Sequence, residues 1–163
     1  MPQTTTQPTT RPAPPPQRTP HTPWTDRFAV PTIADLLQQY EGSARTLADE
    51  ALDSLEALTA KPAKIEWKGP SWRWSITFRQ PSESSPWVYL IPTPAWPSIA
   101  MPVPDDVAQD ILKPRASKYL RETLLHASQV GQTRWAQWQV QGKAQLQEVL
   151  KLAATIAQHQ HPA

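Results

Sequence analysis

Apolar and polar positions along this chain change period several times, and each change marks an element. After Thr32, the residues Ile33, Leu36, Leu37 and Tyr40 recur at helical spacing, with Asp35 placed to complete a capping box. Gly42-Ser43 breaks this helix and starts another. From Ser43 to Thr59, steps of about 100° per residue put Leu47, Ala48, Ala51, Leu52, Leu55 and Leu58 in one arc of roughly 140°. Asp49, Glu50, Asp53 and Glu56 fall on the opposite side, so one face is core and the other is acidic.

The period then drops to two. Ile65 and Trp67 alternate with Lys64, Glu66 and Lys68, Gly69-Pro70 predicts a turn, and Trp72, Trp74, Ile76 and Phe78 alternate with Arg73, Ser75, Thr77 and Arg79. This predicts a hairpin with one apolar face. Trp87–Ile91 reads as a third strand. Ile99, Met101 and Val103 read as a fourth, which Pro97, Pro102 and Pro104 confine to an edge or to irregular extended chain. Two helices follow, a short one opened by Asp105 and Asp106 and ended by Pro114, and one from about Arg115 to Gly131. A last strand covers Arg134–Val140, and a helix from Lys143 to about Gln158 carries an apolar stripe. This order predicts a two-layer α+β fold, a small mostly antiparallel sheet with helices packed on one face.

Composition changes the picture at the N-terminus. Of 163 residues 20 are Pro, and nine of these fall in residues 1–31, where Phe28 and Val30 are the only Leu, Ile, Val or Phe. Such a stretch cannot bury enough apolar surface to offset its ordering entropy. We read residues 1–31 as a disordered Pro/Thr-rich tail, 32–159 as a single α+β domain and 160–163 as a frayed end. The tail has polyproline II character around Arg11-Pro-Ala-Pro-Pro-Pro-Gln17, and Trp24 and Phe28 are spaced to pack back onto the domain. Charge divides at the same place: the formal net charge of +2 belongs to residues 1–31, and the remainder balances to zero.

The absence of Cys excludes a disulfide scaffold, a cysteine nucleophile and Cys-ligated metal. Gly42, Gly69, Gly131 and Gly142 stand too far apart for a G-x-G-x-x-G or Walker-type phosphate loop, so no cofactor is expected. No apolar run approaches the ~18 residues of a membrane span, and a cytoplasmic protein without membrane attachment is expected. Candidate chemistry is sparse. His126 reads as a boundary histidine, and Asp105 and Asp106 as helix-capping carboxylates.

Three surfaces remain as candidates. The acidic face of Asp49, Glu50, Asp53 and Glu56 offers oxygen ligands of the kind that hard cations prefer. The strand face of Arg73 and Arg79 is mildly basic. Nucleic acid is nevertheless disfavoured, because Trp72, Trp74, Ile76 and Phe78 are needed as core beneath the helices, which leaves no stacking residues on the basic side. Trp87, Trp96 and Trp135 are expected off the core face and, with Arg73 and Arg79, form the candidate patch for a protein or small-molecule partner. The sequence thus predicts a non-enzymatic binding or accessory domain. Its alternatives are a metal-handling protein and a weak single-strand nucleic-acid binder.

Trp72-Arg-Trp74 on a strand after a helix, and the late Gly131-Gln-Thr-Arg-Trp135 segment before a final helix, carry a family resemblance. Residues 43–158 resemble an uncharacterised family of small bacterial α+β domains, YdhG-like in layout, some of whose relatives are described as frataxin-like iron chaperones. The resemblance implies a single α+β domain without an established activity, and it adds no catalytic residue.

Overall fold

The computed structural model describes residues 24–160. Helix α1 (Ile33–Leu37) opens on the predicted capping box: the Thr32 hydroxyl accepts from the Asp35 N–H at 3.1 Å, and Asp35 accepts from the Thr32 N–H at 2.8 Å. Asp35 ionises below its ordinary value because the Thr32 N–H and hydroxyl both donate to its carboxylate and favour the charged form. Helix α2 (Gly42–Thr59) follows and ends at Ala60 in the left-handed region, with φ +50°.

A sheet of six strands comes next in space: β1 (Lys64–Trp67), β2 (Trp74–Phe78), β3 (Val88–Ile91), β4 (Ser98–Pro104), β5 (Ser128–Val130) and β6 (Thr133–Gln139). Their order is β1-β2-β3-β4-β6-β5, antiparallel throughout. A one-turn helix α3 (Gly69–Trp72) joins β1 to β2, while α4 (Asp105–Ile111) and α5 (Lys118–Leu125) lie between β4 and β5. Helix α6 (Lys143–Gln160) closes the domain. The predicted class holds: this is a small α+β fold.

The core lies between one sheet face and the helices. Trp74, Ile76, Phe78, Leu90, Ile99, Met101 and Trp138 meet Leu47, Leu55, Leu124, Leu146, Val149 and Ile156, all buried. Burial of this kind contributes roughly 1.5–3 kcal/mol per large aliphatic side chain and is what holds α2 and α6 on the sheet.

Four local expectations are corrected. Trp72 does not continue the β2 alternation: it ends α3, and Arg73 follows with φ +53° and ψ −138°, a turn that sends Trp72 to the face opposite Trp74. The second connecting helix stops at Leu125, and Ser128–Val130 forms the short outer strand β5. Only part of the lead-in packs back. Trp24 lies against the core and its carbonyl accepts from the Trp74 N–H at 3.4 Å, whereas Phe28 and Val30 are 93% and 72% exposed.

The fourth correction concerns β4, which is an interior strand despite its prolines. Val140 donates to the Pro97 carbonyl and Asp105 to the Gln132 carbonyl, so odd-numbered β4 residues form the hydrogen-bonded pairs with β6. The nitrogens of Pro102 and Pro104 therefore point toward β3. Pairing with β3 covers only Ser98–Ala100, so the missing N–H groups remove no ladder bond.

Candidate functional site

Register places Thr77, Tyr89, Ala100 and Gln137 in one row on the sheet face away from the core. Pro102 and Trp135 stand opposite each other in the next row on that face. The small apolar cluster on this face consists of Tyr89, Ile91, Ala100, Trp72 and Trp135. Trp72 arrives from α3, Tyr89 from β3 and Trp135 from β6. Their ring centroids lie 5.2 Å (Trp72–Tyr89), 5.8 Å (Tyr89–Trp135) and 6.1 Å (Trp72–Trp135) apart, with interplanar angles of 52–55°. Such tilted arrangements suit the ring quadrupoles. Ala100 on the strand between them is small enough to let the rings close over it, and it is fully buried.

A polar rim borders the cluster. Lys68 Nζ sits 5.5 Å from the Tyr89 ring centroid and 2.6 Å from Glu66 Oε2. Arg79 pairs with the other Glu66 oxygen and donates to the Ser84 carbonyl at 2.7 Å and to Thr77 Oγ1 at 3.0 Å. Burial alone raises the Glu66 pKa, but the hydrogen bonds and charges of Lys68 and Arg79 outweigh it and hold the carboxyl below its ordinary value. Tyr89 shifts upward, chiefly through burial.

The expectation that this face lacks aromatic residues is thus overturned, because α3 and β6 each deliver a Trp to it. Trp135 is where a patch residue was expected, and Arg79 borders it. Trp87 is not: it precedes β3 and is 3% exposed in the main core, and its indole N–H has no partner among the described residues. Trp96 is half-buried against the same core, and Arg73 contributes a turn rather than a contact to the cluster. Trp72 and Tyr89 were missed. The signal for Trp72 was Gly69-Pro70, a helix-opening pair as much as a turn.

The carboxylates of α2 have protein partners. Asp49 takes Arg45 Nε at 2.9 Å, Glu50 takes Gln147 Nε2 at 2.9 Å and Lys143 at 3.8 Å, and Glu56 accepts from the Ala63 N–H at 2.9 Å. Asp53 joins none of these contacts. The helix and its neighbours therefore spread the four carboxylates along separate contacts; among the described residues no group of three or more His, Asp or Glu is gathered in metal-binding geometry.

A second concave surface lies on the helix side. A groove of about 660 Å³ runs between α4, α5 and α6, with Val107, Ile111, Leu120 and Leu152 among its lining residues. The Ser117 hydroxyl donates to Glu148 Oε2 at 2.7 Å, and His159 Nε2 meets Asp106 Oδ2 at 2.9 Å. Each pair is self-contained: neither supplies the hydroxyl-to-imidazole hydrogen bond of an activated nucleophile. His126 caps α5 with Nδ1 2.9 Å from the Glu122 carbonyl. No helix among the described residues is long and apolar enough to cross a membrane.

Fold and surface together define a small α+β domain whose long helices pack on one sheet face and whose other face carries the Trp72–Tyr89–Trp135 cluster. Comparison with known proteins finds no matching family model, curated protein or solved structure.

Proposed function

We propose that this domain is a non-enzymatic binding module that engages a protein partner through the sheet face around Trp72, Tyr89 and Trp135. The observation that carries the reading is the convergence of three aromatic side chains from three separate elements on the sheet face opposite the main core. Clustered Trp and Tyr with a charged rim is the composition of binding hot spots. Single-stranded nucleic acid fits less well. Its bases need ring faces laid open, whereas these rings are tilted against one another and both neighbouring cations are committed to Glu66.

Photo-crosslinking tests this reading. A photoreactive residue replacing exposed Gln137 or Lys64, both on that face, should crosslink a protein from the source cells, and Trp135→Ala should abolish the product. Crosslinks obtained only from Arg115 or Lys118, on the helix side, would overturn it.

The groove between α4, α5 and α6 favours a second reading, a small ligand with an apolar body. Its volume falls within the usual ~300–1,000 Å³ of small-molecule sites and it has apolar walls. Ligand-induced shifts confined to Leu120 and Leu152 methyl resonances would support it; their absence across a library of apolar fragments would not.

A further inference from the structure

Strand β1 ends the sheet, and its free edge carries a pattern of residues that is its own complement. We propose that two copies of this chain pair through β1, antiparallel and centred on Ile65, across a twofold axis normal to the sheet. The pairing is independent of the reading of the Trp72–Tyr89–Trp135 face.

The first observation is where the backbone groups point. Lys68 donates to the Arg73 carbonyl at 2.8 Å, whereas Trp74 sends its N–H the other way, to the Trp24 carbonyl. Even-numbered residues of β1 therefore form the hydrogen-bonded pairs with β2, in the alternation of an antiparallel ladder. Ile65 and Trp67 turn their N–H and C=O groups outward, where no described residue pairs with them. Such an edge is a template for another strand. The opposite end of the sheet offers less. Even-numbered residues of β6 bond to β4, so Thr133 and Trp135 bond to Val130 and Ser128, and Gln129 alone faces outward from the three-residue β5.

The second observation is charge. On the side away from the main core, β1 carries Lys64 and Glu66 at alternate positions. Antiparallel pairing centred on Ile65 sets Lys64 opposite the partner's Glu66 and Glu66 opposite the partner's Lys64. Both are non-hydrogen-bonded pairs, in which side chains approach most closely. Other registers fit worse. Centred on Lys64 or on Glu66, pairing sets like charges against each other, and centred on Trp67 it puts Ile65 against the partner's Gly69, in α3. A lone lysine on a sheet edge guards against pairing, but a lysine two residues before a glutamate selects one register. Lys64 is exposed and in no ion pair among the described residues, so its charge is free to cross.

The third observation is fit on the core side. Ala63, Ile65 and Trp67 are partly buried against the core. The same register puts Ile65 against the partner's Ile65 and the large Trp67 ring beside the small side chain of the partner's Ala63. Ala63 commits its N–H to Glu56 Oε1 at 2.9 Å, so only its carbonyl joins the ladder. The two Ile65 residues exchange hydrogen bonds, and each Trp67 N–H reaches the carbonyl of the partner's Ala63. So short a contact belongs with the weak interfaces, and its isologous symmetry closes the assembly at two. The axis normal to the sheet keeps both Trp72–Tyr89–Trp135 clusters on one side of the doubled sheet.

Sedimentation velocity of the full chain, from submillimolar to millimolar concentration, should show a monomer–dimer equilibrium. Lys64→Glu, at an exposed site, should weaken it about tenfold, and Glu66→Lys likewise. An equimolar mixture of the two variants should recover association, because each crossing pair is again Glu with Lys. The chain has no cysteine, so Ile65→Cys introduces one thiol. Facing Cα atoms in a hydrogen-bonded pair lie about 5.5 Å apart, within disulfide reach, so mild oxidation should link two copies through this position and leave Gln129→Cys monomeric. A chain monomeric throughout that range, a dimer that Lys64→Glu leaves unchanged, or Gln129→Cys crosslinking as readily as Ile65→Cys would overturn the proposal. If Glu66→Lys does not fold, for want of the carboxylate that Lys68 and Arg79 share, Lys64→Glu and the two cysteine variants decide it.

Discussion

The ring centroids of Trp72 and Trp135 lie 6.1 Å apart, although one side chain ends a one-turn helix before β2 and the other stands on β6, beyond β4. The contact exists because β4 presents Ala100 and Pro102 on this face, and neither holds the flanking rings apart.

Removing one ring should therefore cost stability as well as binding. Trp135→Ala is expected to destabilise the domain by about 2 kcal/mol, less than for a fully buried Trp because the ring is partly exposed. A lower urea midpoint with an unchanged slope would show it. Gln137→Ala, one row away and exposed, should stay within about 0.5 kcal/mol.

Trp74→Phe keeps the core ring but removes the indole N–H that donates to the Asp26 carbonyl. Loss of such a hydrogen bond costs about 1 kcal/mol. Hydrogen exchange at the Trp74 backbone amide, which donates to Trp24, should accelerate more than exchange at Ile76 as the lead-in detaches.

Glu66 gives the sheet an acid-sensitive feature. Its carboxyl titrates below its ordinary value of 4.5, so its contribution to stability is complete above that pH and is lost as pH falls through the lower folded value. Glu66→Gln should flatten the stability curve in that acid window while lowering stability at neutral pH, where Lys68 and Arg79 lose their shared partner. Thermal melts at several pH values would measure both effects.

Three described non-glycine residues stand at positive φ, Ala60, Arg73 and Ala95; Ala60 ends α2, and Arg73 turns the chain from α3 into β2. Glycine adopts these conformations without Cβ strain. Ala60→Gly and Arg73→Gly should each stabilise the domain by up to about 1 kcal/mol in chemical denaturation. Destabilisation by Arg73→Gly would show that its side chain contributes more than the turn.

Much of the architecture was legible in the pattern of residues. Both long helices, the Thr32–Asp35 box and the core faces of β2, β4 and β6 follow from local periodicity, which records burial on one side of each element. The binding surface was less legible. Alternation put Trp72 with Trp74 because period two contains no information about a single helical turn inserted between strands, and Trp87 read as lying off the core because it stands just before β3, where strand alternation no longer applies. The prolines of β4 suggested an edge, since their tolerance depends on β3 ending early on one side, a fact of pairing and not of composition.

By itself, then, the sequence determined the class of fold, the two-layer arrangement and the exclusions that follow from lacking cysteine and a glycine-rich loop, because these depend on local pattern and on residue types that are present or absent. Only the tertiary structure decided which aromatic residues meet on the sheet face opposite the main core. That outcome rests on strand order, register and one positive-φ turn, and those are set by contacts between residues far apart in the chain.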